Sequence, residues 1–464
     1  MHLRAGAQEG NVWSLQRCIQ YAVDHNISIK QDSLNARLAR YTVQQSQLAQ
    51  LPSVSASGSY GRSFGRSINP TTNQFVEGSY DFVSASGNAN VNLFSGLQVR
   101  NGIARNKYSL KAAMADLEQL KDDVALNVAN GFLVAVLAKE QINISRNQVG
   151  VSKAQLDQTR AFAQAGRVPE LNVAQLESQL ATDSSNLINS IASYNAAILD
   201  LKALLNLEFS EPFEIQVPDV EVGDEIAVSA TQPWEVYEKA RGHFGSIKAS
   251  QYRVNAAEKN LAAARGGIYP QLSLGYQLGT NYATNYYTYA YAATGQYQPI
   301  GLTDSLGNVL PVYQPVTRTV STAVPFNSQF DNNLRHSVYL NLNVPLFNGW
   351  QVRYNINQAK VNLQTQQLNE YNAALTLKQN VYKAHNNALN AIQKYNAAKR
   401  ANDAAARAQD FAKKRYDLGL TSTIDLLVTQ TTQFNAASNL VIAKYDLIFK
   451  LKVIDYYLGK EIKL

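Results

Sequence analysis

The segment Val91-Asn-Leu-Phe-Ser-Gly-Leu-Gln-Val-Arg100 occurs a second time in the chain, as Val344-Pro-Leu-Phe-Asn-Gly-Trp-Gln-Val-Arg353. This match is a shift of 253 residues, and the same shift aligns Gly166 with Gly419 without a gap. Upstream the shift is 218, so the second copy is 35 residues longer, and all of the excess lies between Pro270 and Val344. The chain is therefore predicted to contain two internal repeats whose equivalent segments have matched lengths and lie side by side.

The composition favours long helices with wet, weakly charged surfaces, because only 17% of the 464 residues are charged. The formal net charge of +7 is spread along the chain without a Lys/Arg block, so no nucleic-acid partner is expected. The single cysteine, Cys18, excludes an intramolecular disulfide framework and is interpreted as a buried small hydrophobe.

Four stretches alternate apolar and polar residues with period two, and each is near the ~10 residues that cross a bilayer at a tilt. They predict strands with one apolar and one wet face. The alternating residues are Val54, Ala56, Gly58 and Tyr60; Val83, Ala85, Gly87, Ala89, Val91 and Leu93; Leu272, Leu274, Tyr276 and Leu278; and Val338, Leu340, Leu342, Val344 and Leu346. No run approaches the ~18 apolar residues of a membrane helix, so any membrane-spanning part must consist of strands.

Between the strands lie two helical tracts, each about 100 Å long at 1.5 Å per residue. Each tract carries apolar residues at intervals of seven, which predicts left-handed coiled-coil packing. The first series is Val128, Ala135, Ile142, Val149 and Leu156; the second is Val361, Leu368, Leu375, Tyr382 and Leu389.

These patterns divide the chain into five segments. Residues 1–7 are interpreted as a signal-peptide remnant, because Ala5-Gly6-Ala7 has the small-x-small pattern of a signal-peptidase site. They are followed by a first repeat at 8–207, a linker at 208–233, a second repeat at 234–460 and a C-terminal tail at 461–464. The first repeat contains a helix, hairpin strands at 52–64 and 82–96, a long helix at 99–165 and a helix at 168–206. The second contains a helix, hairpin strands at 270–280 and 336–347, a long helix at 350–418 and a helix at 422–458.

Gly166 and Gly419 interrupt the helical pattern at equivalent places and predict tight helix–helix turns. After the first glycine, Pro169 suits the first turn of a helix. After the second, Ser422-Thr-Ile-Asp425 has the pattern of a capping box, in which Ser422 is the N-cap and Asp425 reaches back to it.

Four strands per chain cannot close a barrel, and an open sheet edge facing lipid leaves backbone groups unpaired. Two copies would supply eight strands and fill the interior with side chains, whereas three would supply twelve and leave an aqueous pore. The polar inner face of Ser, Asn and Gln suits a pore, so the sequence favours a homotrimer.

The second turn carries a specific resemblance. The pattern Tyr416-x-x-Gly419-x(5)-Asp425-Leu-Leu, followed by Thr431-x-x-Phe434-Asn435-Ala436 and Ala443-x-Tyr445, resembles the second-repeat signature of the TolC family of outer-membrane efflux proteins. The duplication, hairpins, helix lengths and the linker, which corresponds to the equatorial insert of that family, extend the resemblance over nearly the whole chain.

The resemblance implies a mainly α fold with membrane β-hairpins: a trimeric twelve-stranded β-barrel in the outer membrane of a Gram-negative bacterium, continuing into a twelve-helix coiled-coil tunnel in the periplasm. It implies export of substrates, with drug-like efflux favoured, delivered by a periplasmic adaptor protein and an inner-membrane pump of the RND or ABC class. Outer-membrane lipid is the remaining expected partner. A type I protein secretion duct and a structural coiled-coil or adhesin surface protein are the alternatives.

The resemblance also implies site residues. At the periplasmic entrance, Asp425 matches the first of two aspartate rings and Val428 stands at the second, while Tyr416, Thr421 and Asn172 occupy the positions of a latch that closes the tip. Thr421 and Asn172 replace the arginine and aspartate of that latch, which puts an ionic latch in doubt. The expected adaptor-docking turns consist of Gly166, Arg167, Val168, Pro169, Gly419, Leu420, Thr421 and Ser422.

The sequence offers no catalytic arrangement, so neither an enzyme activity nor a cofactor is expected. The five histidines are scattered. His25 and His243 occupy equivalent repeat positions, which indicates a shared structural role rather than a metal site. The extra 35 residues of the second repeat include part of a tyrosine-rich stretch from Tyr276 to Tyr297, which is interpreted as a longer extracellular loop or an aromatic girdle, with a lid or a surface-partner site as alternatives.

Overall fold

The computed structural model of the protein describes residues 12–68, 73–218, 231–460 and 462. The predicted signal-peptide remnant at 1–7 lies outside the described residues, as do residues 219–230 of the linker and most of the tail at 461–464. The chain divides into two compact units. The helical unit comprises Met1–Val43, Ala104–Lys259 and Ala359–Leu464, and the sheet unit comprises Gln44–Ile103 and Asn260–Gln358.

Helices account for most of the described residues. Their bounds are α1 Leu15–His25, α2 Ile27–Leu48, α3 Gln98–Gln164, α4 Glu170–Leu205, α5 Pro233–His243, α6 Gly245–Gly266, α7 Phe326–Asn332, α8 Gln351–Asp417 and α9 Thr423–Tyr457. None of these helices combines the length and the apolarity that crossing a membrane requires.

The helix predicted upstream of each hairpin is in fact two helices, because the chain leaves helical geometry for one residue. At Asn26 ψ is 130°, and the Asn26 side chain accepts hydrogen bonds from the backbone N–H groups of Ser28 (2.9 Å) and Ile29 (3.3 Å), which caps α2. Phe244 separates α5 from α6 in the same way, with ψ of 127°.

The strands of the described residues form three sheets. Their bounds are β1 Val12–Trp13, β2 Ser53–Ile68, β3 Phe75–Ser95, β4 Glu214–Ile215, β5 Gln271–Ala283, β6 Tyr287–Ser305, β7 Asn308–Ala323 and β8 Arg335–Asn343. A four-stranded antiparallel sheet has the order β2-β3-β5-β8, so the two predicted hairpins lie next to each other in one sheet. The first hairpin is longer than predicted, since its register continues to the pair Ile68 and Phe75.

The extra length of the second repeat is not a loop without regular structure. It forms a third antiparallel hairpin, β6 with β7, joined by Leu306 and Gly307 with φ of +56° and +84°, followed by the short helix α7. The buried side chain of Gln329 in α7 anchors the base of this hairpin. It accepts from the Ala283 N–H (3.0 Å) and donates to the carbonyls of Ala283 (3.0 Å) and Val324 (2.8 Å).

The largest apolar core joins α1, α3, α4 and α9 in the helical unit. Cys18 lies in it fully buried and unbonded to other sulfur, as predicted, and burial raises the pKa of its thiol to about 12. Val128, Ala135, Ile142 and Leu156 of the first seven-residue series are also buried. This series therefore packs within the chain.

Most of the second series is exposed instead of buried within the chain. Val361, Leu368, Leu375 and Tyr382 are all exposed, Leu368 by 69%. The buried face of α8 instead carries Leu377, Val381, Ala384, Ala388 and Ala391. A spacing of seven shows that a stripe faces one direction, but not whether the same chain supplies the covering surface.

Candidate functional site

The two helix–helix turns have the same backbone geometry. After α3, Gly166 has φ of +74°, and its N–H donates to the Ala163 carbonyl (2.8 Å) while the Arg167 N–H donates to the Phe162 carbonyl (2.8 Å). These are the two bonds of a Schellman motif, which satisfies the last carbonyls of the helix.

After α8 the motif is repeated. Gly419 has φ of +73°, its N–H donates to the Tyr416 carbonyl (2.9 Å), and the Leu420 N–H donates to the Arg415 carbonyl (2.8 Å). The glycine is needed at both turns because a side chain is strained in this left-handed conformation.

The helices after the turns begin differently. Pro169 is the N-cap of α4 and makes no side-chain cap bond. It therefore lies just before the first turn of α4, whereas the sequence predicted it within that turn. Ser422 is the N-cap of α9, and its hydroxyl accepts from the Asp425 N–H (3.1 Å). The Asp425 carboxylate accepts in return from the hydroxyls of Ser422 (2.7 Å) and Thr421 (3.3 Å). The predicted capping box is therefore present, with Thr421 as an additional donor.

This environment stabilises the negative charge of Asp425. Hydrogen bonds from the side chain and backbone of Ser422, a bond from Thr421 and the nearby positive charge of Arg415 hold the pKa of the Asp425 carboxyl below its usual range. The carboxylate is fully exposed to solvent and is charged at neutral pH.

Tyr416 connects the two turns. It is buried, and its hydroxyl shares a hydrogen bond with the Thr159 hydroxyl of α3 (3.0 Å) and accepts one from Thr423 of α9 (3.4 Å). Beside it, the Gln158 amide donates to the Asp417 carboxylate (3.0 Å). These neutral and charge-assisted bonds link the end of α3 to the end of α8.

The structure brings most of the predicted site residues to one place, a cavity of about 270 Å³ between the two turns. Its lining includes the predicted residues Arg167, Val168, Asn172, Tyr416, Gly419, Thr421 and Ser422. Within the described part of the chain, however, Asn172 makes no side-chain hydrogen bond to Tyr416 or Thr421. The expected latch partners therefore lie around one cavity without bonding directly.

Val428 lies apart from this cavity. Its side chain is exposed and lines a neighbouring groove of about 660 Å³ between the first turns of α4 and α9, together with Leu171, Ile424 and Leu427. The groove lining contains no charged residue. Val428 thus presents an apolar surface one helical turn beyond the Asp425 carboxylate.

Among the described residues, the arginines near the turns form no ion pair between the two repeats. Arg160 pairs with Glu177 (2.7 Å), which joins α3 to α4 within the first repeat. The Arg415 side chain donates to the Leu420 carbonyl (3.2 Å) of its own turn, and the guanidinium of Arg167 lies over the Phe162 ring (4.4 Å). The sequence did not single out Gln158, Thr159 and Asp417 as the residues that link the repeats, because no local pattern distinguishes them.

Neither repeat-equivalent histidine belongs to a metal cluster. The Nδ1 atoms of His25 and His243 lie 3.0 and 2.8 Å from the carbonyls of Tyr21 and Lys239, each four residues earlier. This is the shared structural role that their positions predict. Among the described residues, no group of three or more His, Cys, Asp or Glu side chains is arranged to hold a metal ion.

The chain is similar to several known proteins in sequence and in fold. A family model described as outer membrane efflux protein matches residues 18–207 and 236–459. The outer membrane protein TolC of Salmonella enteritidis is 22% identical over 72% of this chain, and the match spans 60% of that protein's own length. The toxin and drug export protein A of Aggregatibacter actinomycetemcomitans is 20% identical over 94% of this chain and 83% of that protein. The outer membrane protein VceC of Vibrio cholerae has the same fold, with a TM-score of 0.75, 16% identity and 97% of each chain covered.

Proposed function

Because this chain belongs to the outer membrane efflux protein family, we propose that it is the outer-membrane channel-tunnel through which substrates leave a periplasmic adaptor and inner-membrane pump assembly. The sheet unit is the part that crosses the outer membrane, and the helical unit extends through the periplasm. The observation that carries the proposal is the pair of equivalent turns, joined by Tyr416 and lined by the predicted gate residues.

We propose that three copies assemble, giving a twelve-stranded barrel from the sheet units and a twelve-helix tunnel from the helical units. Two features support assembly. The four-stranded sheet ends in β2 on one side and β8 on the other, so both outer edges need partners. The exposed apolar stripe of α8, which begins at Val361 and includes Leu368, is suited to packing against a neighbouring copy.

The matched element lengths support two structural repeats. α1 and α5 have 11 residues each, and α2 and α6 have 22 each. α3 and α8 have 67 each, and α4 and α9 have 36 and 35. Walls of one tunnel need equal helix lengths, which is what the pairs supply.

The gate of the proposed tunnel lies at the two turns. Asp425 supplies one carboxylate per copy to the entrance, and Val428 supplies an apolar side chain where a second carboxylate would stand. A single ring attracts cations less strongly than two rings would. Tyr416, together with Thr159, holds the turns in contact in place of an ionic latch, while Thr421 and Asn172 line the space between them.

Adaptor docking is assigned to the same turns, Gly166 to Pro169 and Gly419 to Ser422. The support is their surface: Leu420 and Ile424 are exposed apolar side chains next to an uncharged groove. Exposed apolar residues beside polar ones are typical of surfaces that bind a protein partner. A Leu420→Glu substitution is expected to reduce the amount of adaptor that co-purifies with the channel.

Drug-like molecules are the proposed substrates, and an RND or ABC transporter is the proposed pump. Support for drug-like substrates comes from the Aggregatibacter relative, a toxin and drug export protein. Because that relative is also a toxin exporter, type I protein secretion is the second candidate. A deletion strain separates the two candidates. Loss of growth on drug gradients supports drug efflux, and loss of a secreted protein supports type I secretion.

The direct test of the duct is electrical. Purified protein is expected to elute with the mass of a trimer and to produce single-channel currents in a planar bilayer. Its cation preference should fall in the Asp425→Asn variant, because one negative charge per copy is removed. A trimer that never conducts, even after Tyr416→Phe weakens the turn contact, contradicts the duct and favours a structural or adhesive role.

A further inference from the structure

The buried face of α3 changes character along its length. Toward its middle the buried residues are apolar and include Val128, Phe132 and Val136. Toward the turn, buried polar residues recur at intervals of three and four residues, the spacing of one helical face, beside the buried Leu156. These buried polar residues, called the seam, are Ser145, Gln148, Ser152, Gln155 and Thr159.

The seam is bonded to α4 around one carboxylate. Asp183 is 3% exposed, and its Oδ2 accepts from Ser152 (2.5 Å) and Gln148 (3.2 Å), while Oδ1 accepts from Gln179 (3.0 Å). Further along, the hydroxyls of Ser145 and Ser190 share a hydrogen bond (3.0 Å). In the described part of the chain no Lys, Arg or His lies within ion-pair distance of Asp183, so all its donors are neutral.

A buried carboxylate with neutral donors is a poor source of stability. Desolvating the charge is unfavourable, and its hydrogen bonds recover only part of that energy, whereas an apolar side chain of similar size packs without this penalty. Such a group instead supplies geometric specificity, because its hydrogen bonds require a defined alignment of donor and acceptor. Two of the three donors, Gln148 and Ser152, lie in α3 and meet Oδ2 of Asp183 in one alignment of α3 against α4, so a slip of either helix breaks these two bonds. The third donor, Gln179, lies four residues before Asp183 in α4 and does not report the alignment.

The second repeat lacks these buried polar residues. At the shift of 253, each seam residue is replaced by alanine, and so are its α4 partners Asp183 and Ser190, whereas Gln179 aligns with Thr432. The residues Ser145, Gln148, Ser152, Gln155, Thr159, Asp183 and Ser190 align with Ala398, Ala401, Ala405, Ala408, Ala412, Ala436 and Ala443. Alanine offers no directional bond, so the register of α8 against α9 is not fixed at these positions.

We propose that Asp183 is a positioning residue of the gate: it locks the register of α3 against α4 and thereby sets the height of the first turn relative to the second. It acts through Thr159, the last seam residue, whose hydroxyl meets Tyr416 of the second repeat. The register lock is a property of the first repeat alone. Its effect on opening rests on the proposed channel function.

The first measurement reports register and needs no channel activity. The variants Ser145→Cys and Ser190→Cys are combined, because the two hydroxyls they replace lie 3.0 Å apart and a disulfide tolerates little misalignment. The buried Cys18 does not compete. Adding Asp183→Ala is expected to slow disulfide formation in the full-length trimer about tenfold, the order of effect of losing charge-assisted hydrogen bonds.

The second measurement reports the gate. In planar bilayers, Asp183→Ala is expected to raise the fraction of time spent open about tenfold, because the Thr159–Tyr416 contact loses its fixed geometry. Asp183→Asn keeps the shape and one acceptor oxygen, so both readouts should lie between those of the unmodified protein and Asp183→Ala. The matched control is Asp200→Ala, which removes an exposed carboxylate from the same helix and should change neither readout.

The outcomes separate the two levels of the proposal. Disulfide formation and open fraction that are the same in Asp183→Ala and Asp200→Ala overturn the lock. A slowed disulfide with an unchanged open fraction overturns the gating role. If Asp183→Ala does not assemble, Asp183→Asn and Ser152→Ala are compared with the control by the same criteria. If the unmodified protein never conducts, the duct fails, while the disulfide measurement still decides the register lock.

Discussion

The hydroxyl of Tyr416, at the end of α8, lies 3.0 Å from the hydroxyl of Thr159 in α3, and both side chains are buried. The two residues are 257 positions apart in the chain. Their contact joins the ends of the two longest helices next to the turns that carry the proposed gate.

Tyr416→Phe removes the hydroxyl and keeps the ring, which leaves the Thr159 hydroxyl without this partner. The expected penalty is about 1–3 kcal/mol, because an unsatisfied buried polar group costs more than a hydrogen bond supplies. The proposed gate should therefore open more often in single-channel recordings. Tyr371→Phe, which removes an exposed hydroxyl from the same helix, is the control. Equal open fractions in the two variants would contradict the prediction.

Asp425 should keep its charge through the mildly acidic range. Its folded-state pKa lies below the ordinary value of 3.8, so the stability that Asp425 contributes is present above that value and is lost only as the pH falls through the lower folded pKa. The difference in cation preference between the unmodified channel and Asp425→Asn is therefore expected to be the same at about pH 8 and pH 5. Reversal potentials in a salt gradient measure the cation preference at each pH. A difference between the two channels that disappears at the lower pH would contradict the prediction.

Gly419→Ala should destabilise the helical unit by about 1–2 kcal/mol, since an alanine at φ of +73° is strained. No atom lies within 4 Å of the added Cβ, so the loss is conformational rather than steric. Gly150→Ala is the matched control. It also adds a methyl group into open space, but within α3, where alanine is favoured by about 1 kcal/mol. Opposite shifts in unfolding temperature are expected, and shifts of the same sign would show that the turn tolerates a side chain.

Gln329→Leu should loosen the base of the β6–β7 hairpin. The substitution leaves the backbone N–H and carbonyl of Ala283 and the Val324 carbonyl without their side-chain partner, a loss of about 1–3 kcal/mol. Limited proteolysis is expected to cut between β5 and β8 sooner than in the unmodified protein. Gln298→Ala, which changes an exposed position on the same hairpin, should be cut at the rate of the unmodified protein. If the protease cuts both variants at the same rate, the hairpin does not depend on Gln329.

Leu368→Asp should weaken the proposed trimer, because it places a charge in the exposed apolar stripe of α8. The mass distribution in detergent is expected to shift toward the single chain. Asn369→Asp introduces the same charge at the adjacent exposed position, on a different face of the helix, and should leave the trimer intact. A trimer equally stable in both variants would place the copy-to-copy contact elsewhere.

Local features of the sequence determined where the helices and turns lie. The long helices predicted at 99–165 and 350–418 span Gln98–Gln164 and Gln351–Asp417 in the structure. They end just before Gly166 and Gly419, and the helices that follow begin just after Pro169 and Ser422, because the backbone preferences of glycine, proline and serine act within a few residues. The family signature around Tyr416 and Gly419 is likewise local, which is why it was readable without a structure.

Contacts between distant segments were decided by the tertiary structure alone. The periodicity of α8 did not tell which of its stripes is covered within the chain, and the extra residues of the second repeat gave no sign of the β6–β7 hairpin. Asp183, Thr159 and the other seam residues are ordinary polar residues of a helix until the partner across from them is known. Periodicity fixes the direction a side chain faces, because it depends on local geometry, whereas burial and bonding depend on which segment lies opposite.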